Sequence, residues 1–189
     1  KYAACTRVLK NINILPFEGA TIGRELYKEA NLMQAIKQIE KKDYFKALSF
    51  IEDAKKWPEN LGSGKPYQKD IDERLEDWIS YLIMNKQGNK QEADKYLSKI
   101  LLFTKSLTDP DVHIIEPNHL ISAWTIERTK NRAEADNFIQ VMVKSNRDSK
   151  ILPWIKNIFE NNYSGLPTIS TPESGVIVRL LENYKTAIK

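Results

Sequence analysis

The residues best suited to chemistry lie in the stretch 57–67, WPENLGSGKPY, where Trp57, Asn60, Lys65 and Tyr67 surround two glycines. An aromatic ring, an amide, an ammonium and a phenol held by a turn can stack on, and hydrogen-bond to, a sugar ring or an extended peptide. Gly62-Ser63-Gly64-Lys65 has the composition of a phosphate-cradling loop. That chemistry, however, needs the lysine and a following Ser or Thr to open a helix after a strand. Pro66 follows instead, and the pattern before the loop is helical, so nucleotide binding is not expected. The competing reading of this stretch is structural: a helix stop, a glycine turn, and aromatics lying over helix ends.

Other reactive side chains carry less. Asp70, Asp72, Glu73, Glu76 and Asp77 cluster where a helix begins. Carboxylates there are favourable against the positive end of the helix dipole without any metal, so a solvated helix start is expected. His113 and His119 stand six residues apart across Pro117 with no carboxylate at ligand spacing. They support neither a zinc site nor a Ser-His-Asp arrangement. Cys5, the single cysteine, excludes an internal disulfide and a multi-cysteine zinc site. With only Arg7 as a charged neighbour, its thiol is expected to be buried and structural. No catalytic residue, metal or cofactor is expected.

The elements that must position these residues read as helices. Hydrophobic residues make up 41% of the 189 and charged residues 29%, ordinary for a globular chain. The net charge of +4 is spread along the sequence rather than gathered on one face, which argues against nucleic acid as a partner. No run approaches the ~18 consecutive apolar residues of a membrane span, and the first residues do not have the charged-then-apolar pattern of a signal peptide. It begins with Lys and is already helical from Tyr2. A fragment, the C-terminal part of a longer protein, is expected, and the compartment stays open.

Apolar residues at three-and-four spacing predict helices over about 20–41, 44–57, 70–87, 90–105, 119–130 and 132–146. Shorter helices follow at 150–160 and 173–188, after an opening helical segment at 2–11. The reading is a single all-α domain over 1–189. Helix pairs lie at about 20–57, 70–105 and 119–146, and the last helix caps the end. Three turn-plus-helix segments repeat: KDYFKALSFIEDAK, GNKQEADKYLSKIL and KNRAEADNFIQVMV. Each places an alanine after a polar turn (Ala47, Ala93, Ala135) and an apolar residue four further on (Ile51, Leu97, Ile139). Helices joined by a tight turn approach closest beside it, where a larger side chain would overpack.

Asp43-Tyr44, Ala47, Ile51, Ala54 and Pro58 resemble the second half of the tetratricopeptide repeat, a helix-pair unit of about 34 residues. The alanines here are 46 and 42 residues apart. The resemblance implies a right-handed stack of antiparallel helix pairs and a protein- or peptide-binding scaffold. A narrower likeness over 15–78 rests on LPFEGA, LYKEANL, DYFKAL, WPENLGSGKPY and DIDERLEDW. It is similar to the repeat region of a poorly characterised bacterial family common in Bacteroidetes. There such repeats follow a β-sandwich similar to sugar-enzyme accessory domains, a domain absent from this sequence. That likeness implies the alternative function, an accessory region of a carbohydrate-active enzyme, with carbohydrate as a second ligand class and the upstream domain as a partner. In stacked helix pairs the first helices line the concave face. Tyr81, Asn85, Trp124, Glu127 and Arg128 are therefore expected to be able to reach a partner in that groove, with Trp124 equally readable as core.

Overall fold

Three turns set the frame. At each, a short polar side chain closes the first turn of the helix that follows. The Asp43 carboxylate accepts from the Lys46 N–H at 3.1 Å, the Asn89 amide oxygen from the Glu92 N–H at 3.3 Å, and the Asn131 amide oxygen from the Glu134 N–H at 2.9 Å. Such caps satisfy a helix donor that has no partner within the helix. Lys42 and Gly88 adopt left-handed φ angles of 63° and 77°, which end the preceding helix. The third turn closes differently, with Lys130 at φ −123°.

The structure is a computed structural model that describes residues 1–17, 20–107, 115–146, 148–163 and 168–184. Among them are nine α-helices and no strand. They are α1 (Tyr2–Asn11), α2 (Ile22–Glu40), α3 (Tyr44–Lys55), α4 (Arg74–Lys86), α5 (Lys90–Ser106), α6 (His119–Thr129), α7 (Arg132–Ser145), α8 (Ile151–Phe159) and α9 (Pro172–Tyr184). His113 and the final five residues lie outside the described residues. No helix among those described is long and apolar enough to cross a membrane.

Hairpins form where the turns are tight: α2 packs along α3, α4 along α5 and α6 along α7. Successive hairpins meet through α3 on α4, α5 on α6 and α4 on α6. The repeated alanines Ala47, Ala93 and Ala135 are all buried, as are Ile51, Leu97 and Ile139 one turn on. They join a core that runs from Leu32 to Leu181, while Leu9, Tyr27 and Leu61 form a smaller cluster under α1. Cys5 is half-buried against that smaller cluster, less enclosed than the sequence suggests. Because the alanines sit where helices touch, Ala135→Leu is expected to lower stability by about 1–3 kcal/mol through overpacking. Urea denaturation checks this, and an unchanged midpoint would remove the close-approach explanation of the repeat.

Two elements differ from expectation. The helix foreseen from residue 70 begins at Arg74, because 68–70 form a 3-10 turn and Asp72 accepts from the Arg74 N–H at 3.0 Å as a local turn bond. The final helix, expected to cap the end of the stack, returns to the start. α9 packs on α2, burying Val176, Ile177, Leu180 and Leu181, and Arg179 reaches Glu40 at 3.2 Å. Only α8 stays with the last hairpin, against α6 and α7.

Candidate functional site

The loop after α3 divides into a fixed half and an open half. In the first half Asn60 is committed to the scaffold: its Nδ2 donates to the carbonyls of Leu9 at 2.8 Å and Ile12 at 2.7 Å. It thereby serves carbonyls at the end of α1 that have no helical partner. The Ile14 N–H returns to the Asn60 carbonyl at 2.8 Å, and the Ser63 hydroxyl donates to the Ala20 carbonyl. Gly62 is buried at φ 72°, where a Cβ would sit 2.8 Å from the Ile14 carbonyl oxygen, so only glycine fits. Asn60 thus has a structural role instead of the ligand contact proposed for it. In the second half Lys65 is exposed, and Tyr67 stands 81% exposed. Trp57 sits between the halves, half-buried, with the Arg24 guanidinium 4.6 Å over its ring.

The groove residues separate in the same way. Trp124 and Tyr81 are 6% and 4% exposed, and both pack on Trp78, at ring-centroid distances of 5.6 Å and 5.0 Å. Arg128 and Asn85 are exposed near the ends of their helices, Arg128 lying 5.5 Å over the Tyr81 ring. Every residue from 74 to 81 in α4 and from 119 to 126 in α6 is buried. Over those turns the first helices of these two hairpins present no solvated face, so Tyr81 does not line an open groove as expected, and Trp124 takes its alternative reading as a core residue.

The acidic run is likewise not a solvated helix start. Glu76 and Asp77 are buried, and each meets a lysine from another hairpin. Lys28 of α2 lies 3.1 Å from Glu76 and 3.7 Å from Glu173, and Lys55 of α3 lies 2.6 Å from Asp77 and 3.3 Å from Glu73. Burial lowers the Lys28 ammonium, but Glu76, Glu173 and Asp72 outweigh it and hold the group above its usual range. Burial similarly raises Asp72, yet the Arg74 guanidinium and the Asn118 amide bring it down to about 2. Arg74 also donates to the Ser122 hydroxyl at 2.9 Å, tying α4 to α6. These carboxylates are joints between helices. Among the described residues no group of three or more His, Cys, Asp or Glu side chains is arranged to hold a metal ion. His119, buried at the start of α6, accepts from the Glu116 N–H at 3.1 Å, and burial depresses its pKa to about 4.

Three cavities meet at Glu73. The widest, about 820 Å³, opens between α3 and α5 beside Trp57 and is lined by Lys55, Lys56, Lys65, Tyr96 and Lys99 as well as Glu52. A second, about 430 Å³, has Ile71, Ile100, Leu102 and Phe103 as its apolar wall. The third, about 180 Å³, is lined by Arg24, Lys28, Trp57 and Glu76. Of the residues expected to bind a partner, only Trp57 and Lys65 come together here, while Asp70, Asp72, Glu73, Glu76 and Asp77 of the acidic run are on the cavity walls. Arg24 and Lys28 were missed. The available signal was their register: with Tyr27, Asn31 and Ala35 they fall at the three-and-four spacing of the buried face of α2. Comparison of the chain with protein-family models, curated proteins and solved structures gave no match.

Proposed function

We propose that the chain is a non-catalytic scaffold of tetratricopeptide type, a right-handed stack of antiparallel helix pairs, that binds an extended acidic segment of a protein or peptide partner. Supporting the architecture are the three capped turns with buried alanines and the packing of each hairpin's second helix on the first helix of the next. The observation that carries the binding role is the 820 Å³ cleft between α3 and α5. Four lysines (55, 56, 65 and 99) line it against two glutamates (52 and 73), and Trp57 and Tyr96 supply aromatic surface. Its size lies within the roughly 300–1,000 Å³ of ligand-accepting clefts. Lys55 is committed to Asp77 and Lys56 to Asp53, which leaves Lys65 and Lys99, both exposed, as the side chains best able to meet an incoming carboxylate. The binding face is then the side formed by the second helices, not the concave one.

The test is selection from a displayed peptide library followed by fluorescence anisotropy on the winners. Acidic sequences containing an aromatic residue are expected to dominate and to weaken as salt is raised. Lys65→Glu combined with Lys99→Glu should reduce affinity by about tenfold or more, with the melting temperature nearly unchanged because both side chains are exposed. Peptides without acidic character, or a double variant that binds like the parent, would overturn the proposal.

A further inference from the structure

One face of α5 leads from the lysine-lined cleft into the 430 Å³ cavity. Tyr96, Lys99, Leu102, Phe103 and Ser106 follow one another at the three-and-four spacing of a single helix stripe. Tyr96 and Lys99 border the cleft, and Lys99, Leu102, Phe103 and Ser106 border the cavity, so Lys99 stands where the two meet. Beyond Lys99 the wall turns apolar. Leu102 is 72% exposed, and it shares that wall with Phe103, Ile71 and Ile100. A lone exposed leucine needs no explanation, but one that belongs to an apolar cavity wall offers surface to an occupant. The charges around the cavity are unevenly used. Glu73 and Asp77 both meet Lys55, at 3.3 Å and 2.6 Å, and Arg74 meets Asp72 at 2.7 Å. Lys69 and Lys99, also on the wall, are exposed and form no ion pair among the described residues. The unneutralised charge beside the apolar surface is therefore positive.

We infer that this cavity takes a large apolar side chain, phenylalanine- or leucine-like, from the same acidic segment that the cleft binds; the inference rests on the function proposed above. The cavity volume falls within the roughly 300–1,000 Å³ of ligand-accepting clefts. Charge selects the kind of segment that delivers the side chain. A basic segment would be repelled by Lys69 and Lys99, and a neutral one would leave both ammonium groups without a counter-charge. Carboxylates flanking the apolar residue complement them. The helix geometry also sets a spacing. Lys99 and Phe103 are four residues apart on α5, which is about 6 Å along its axis. An extended chain advances about 3.3 Å per residue and points alternate side chains to one side. An acidic residue at Lys99 and an apolar residue in the cavity are thus separated by one residue that points away. The recognised pattern is acidic, any residue, large apolar, read in one of the two chain directions.

Fluorescence anisotropy with labelled synthetic peptides tests this. Each peptide carries a run of aspartate and glutamate closed, at one end or the other, by a serine and then a phenylalanine. Its control has serine in place of the phenylalanine. In one of the two orientations the phenylalanine peptide is expected to bind about tenfold or more tightly than its control, because the ring leaves water for the apolar wall. Leu102→Gln, which puts an amide on the exposed part of that wall, should remove most of this advantage. Binding of the control and the melting temperature should stay nearly unchanged, since Leu102 is exposed. Ser106→Trp, which fills the cavity from an exposed position, should act in the same way. Equal binding of the phenylalanine and serine peptides would overturn the inference and leave the acidic reading of the cleft standing, whereas no binding of either would remove both. An advantage undiminished in both variants would place the ring against Trp57 and Tyr96 and overturn the inference too. Sedimentation of the unliganded protein as a dimer that Leu102→Gln dissociates would seat a second copy in the cavity and overturn it equally.

Discussion

Replacing Glu76 with alanine is expected to destabilise the protein by about 3–5 kcal/mol, the usual consequence of removing one partner from a buried ion pair. Glu76 is 1% exposed and lies 3.1 Å from the Lys28 ammonium, which is itself almost enclosed between α2 and α4. Without Glu76 that ammonium keeps Glu173 at 3.7 Å and the Asp72 carbonyl at 3.5 Å, neither positioned well enough to replace a buried carboxylate. The loss therefore comes from a stranded charge more than from a forfeited attraction. A second variant separates these contributions. Lys28→Met with Glu76→Leu removes both charges and keeps the volume, so it should recover most of the stability. Chemical denaturation of the single and double variants reads the difference directly. A single variant within about 0.5 kcal/mol of the parent, the range of an ordinary surface change, would show that the pair is solvated and the joint unimportant.

Why that joint was not legible in the sequence is instructive. The run from Asp70 to Asp77 has the composition of an exposed helix start, and helix-dipole physics favours carboxylates there whether or not they are buried. What decides the matter is two lysines 48 and 22 residues upstream, Lys28 against Glu76 and Lys55 against Asp77, brought in by the packing of neighbouring helices. Local composition cannot report a partner on another element. The hairpins, by contrast, were legible because each is specified within a few residues. A polar cap, an alanine four positions on and an apolar residue one turn later all lie inside one segment, and each does what its chemistry requires. The return of α9 to α2 was illegible for the same reason as the ion pairs, since Arg179 and Glu40 are 139 residues apart. The stretch 57–67 was half legible. Trp57 and Lys65 do border a cavity, but the hydrogen bonds of Asn60 and the strict demand for Gly62 depend on where α1 and the connector after it lie.

Trp78→Ala is expected to cost about 3–5 kcal/mol, as large-to-small changes at enclosed aromatic positions do. Trp78 is 0% exposed and forms the centre of a cluster with Tyr81 of its own helix and Trp124 of α6, the latter stacked at 5.6 Å with 28° between the planes. Its removal leaves a void between two hairpins that the fully buried turns of α4 and α6 cannot easily collapse to fill. Trp124→Ala should be similarly destructive. The two changes should also be non-additive, by about 0.5–1.5 kcal/mol, because the pair interacts beyond the area each ring buries. A double-mutant cycle on leucine replacements, which keep more of the volume, measures that coupling with less risk of global unfolding. The measurement also discriminates between two roles for these rings. Aromatic anchors on an open groove would tolerate replacement with little change in stability, and their loss would fall on partner affinity alone. Rings that join hairpins must instead shift the denaturation midpoint, with peptide binding in the lysine-lined cleft retained by any variant that still folds. A Trp78 or Trp124 replacement of normal stability would return the binding face to α4 and α6 and sink the assignment of the cleft between α3 and α5.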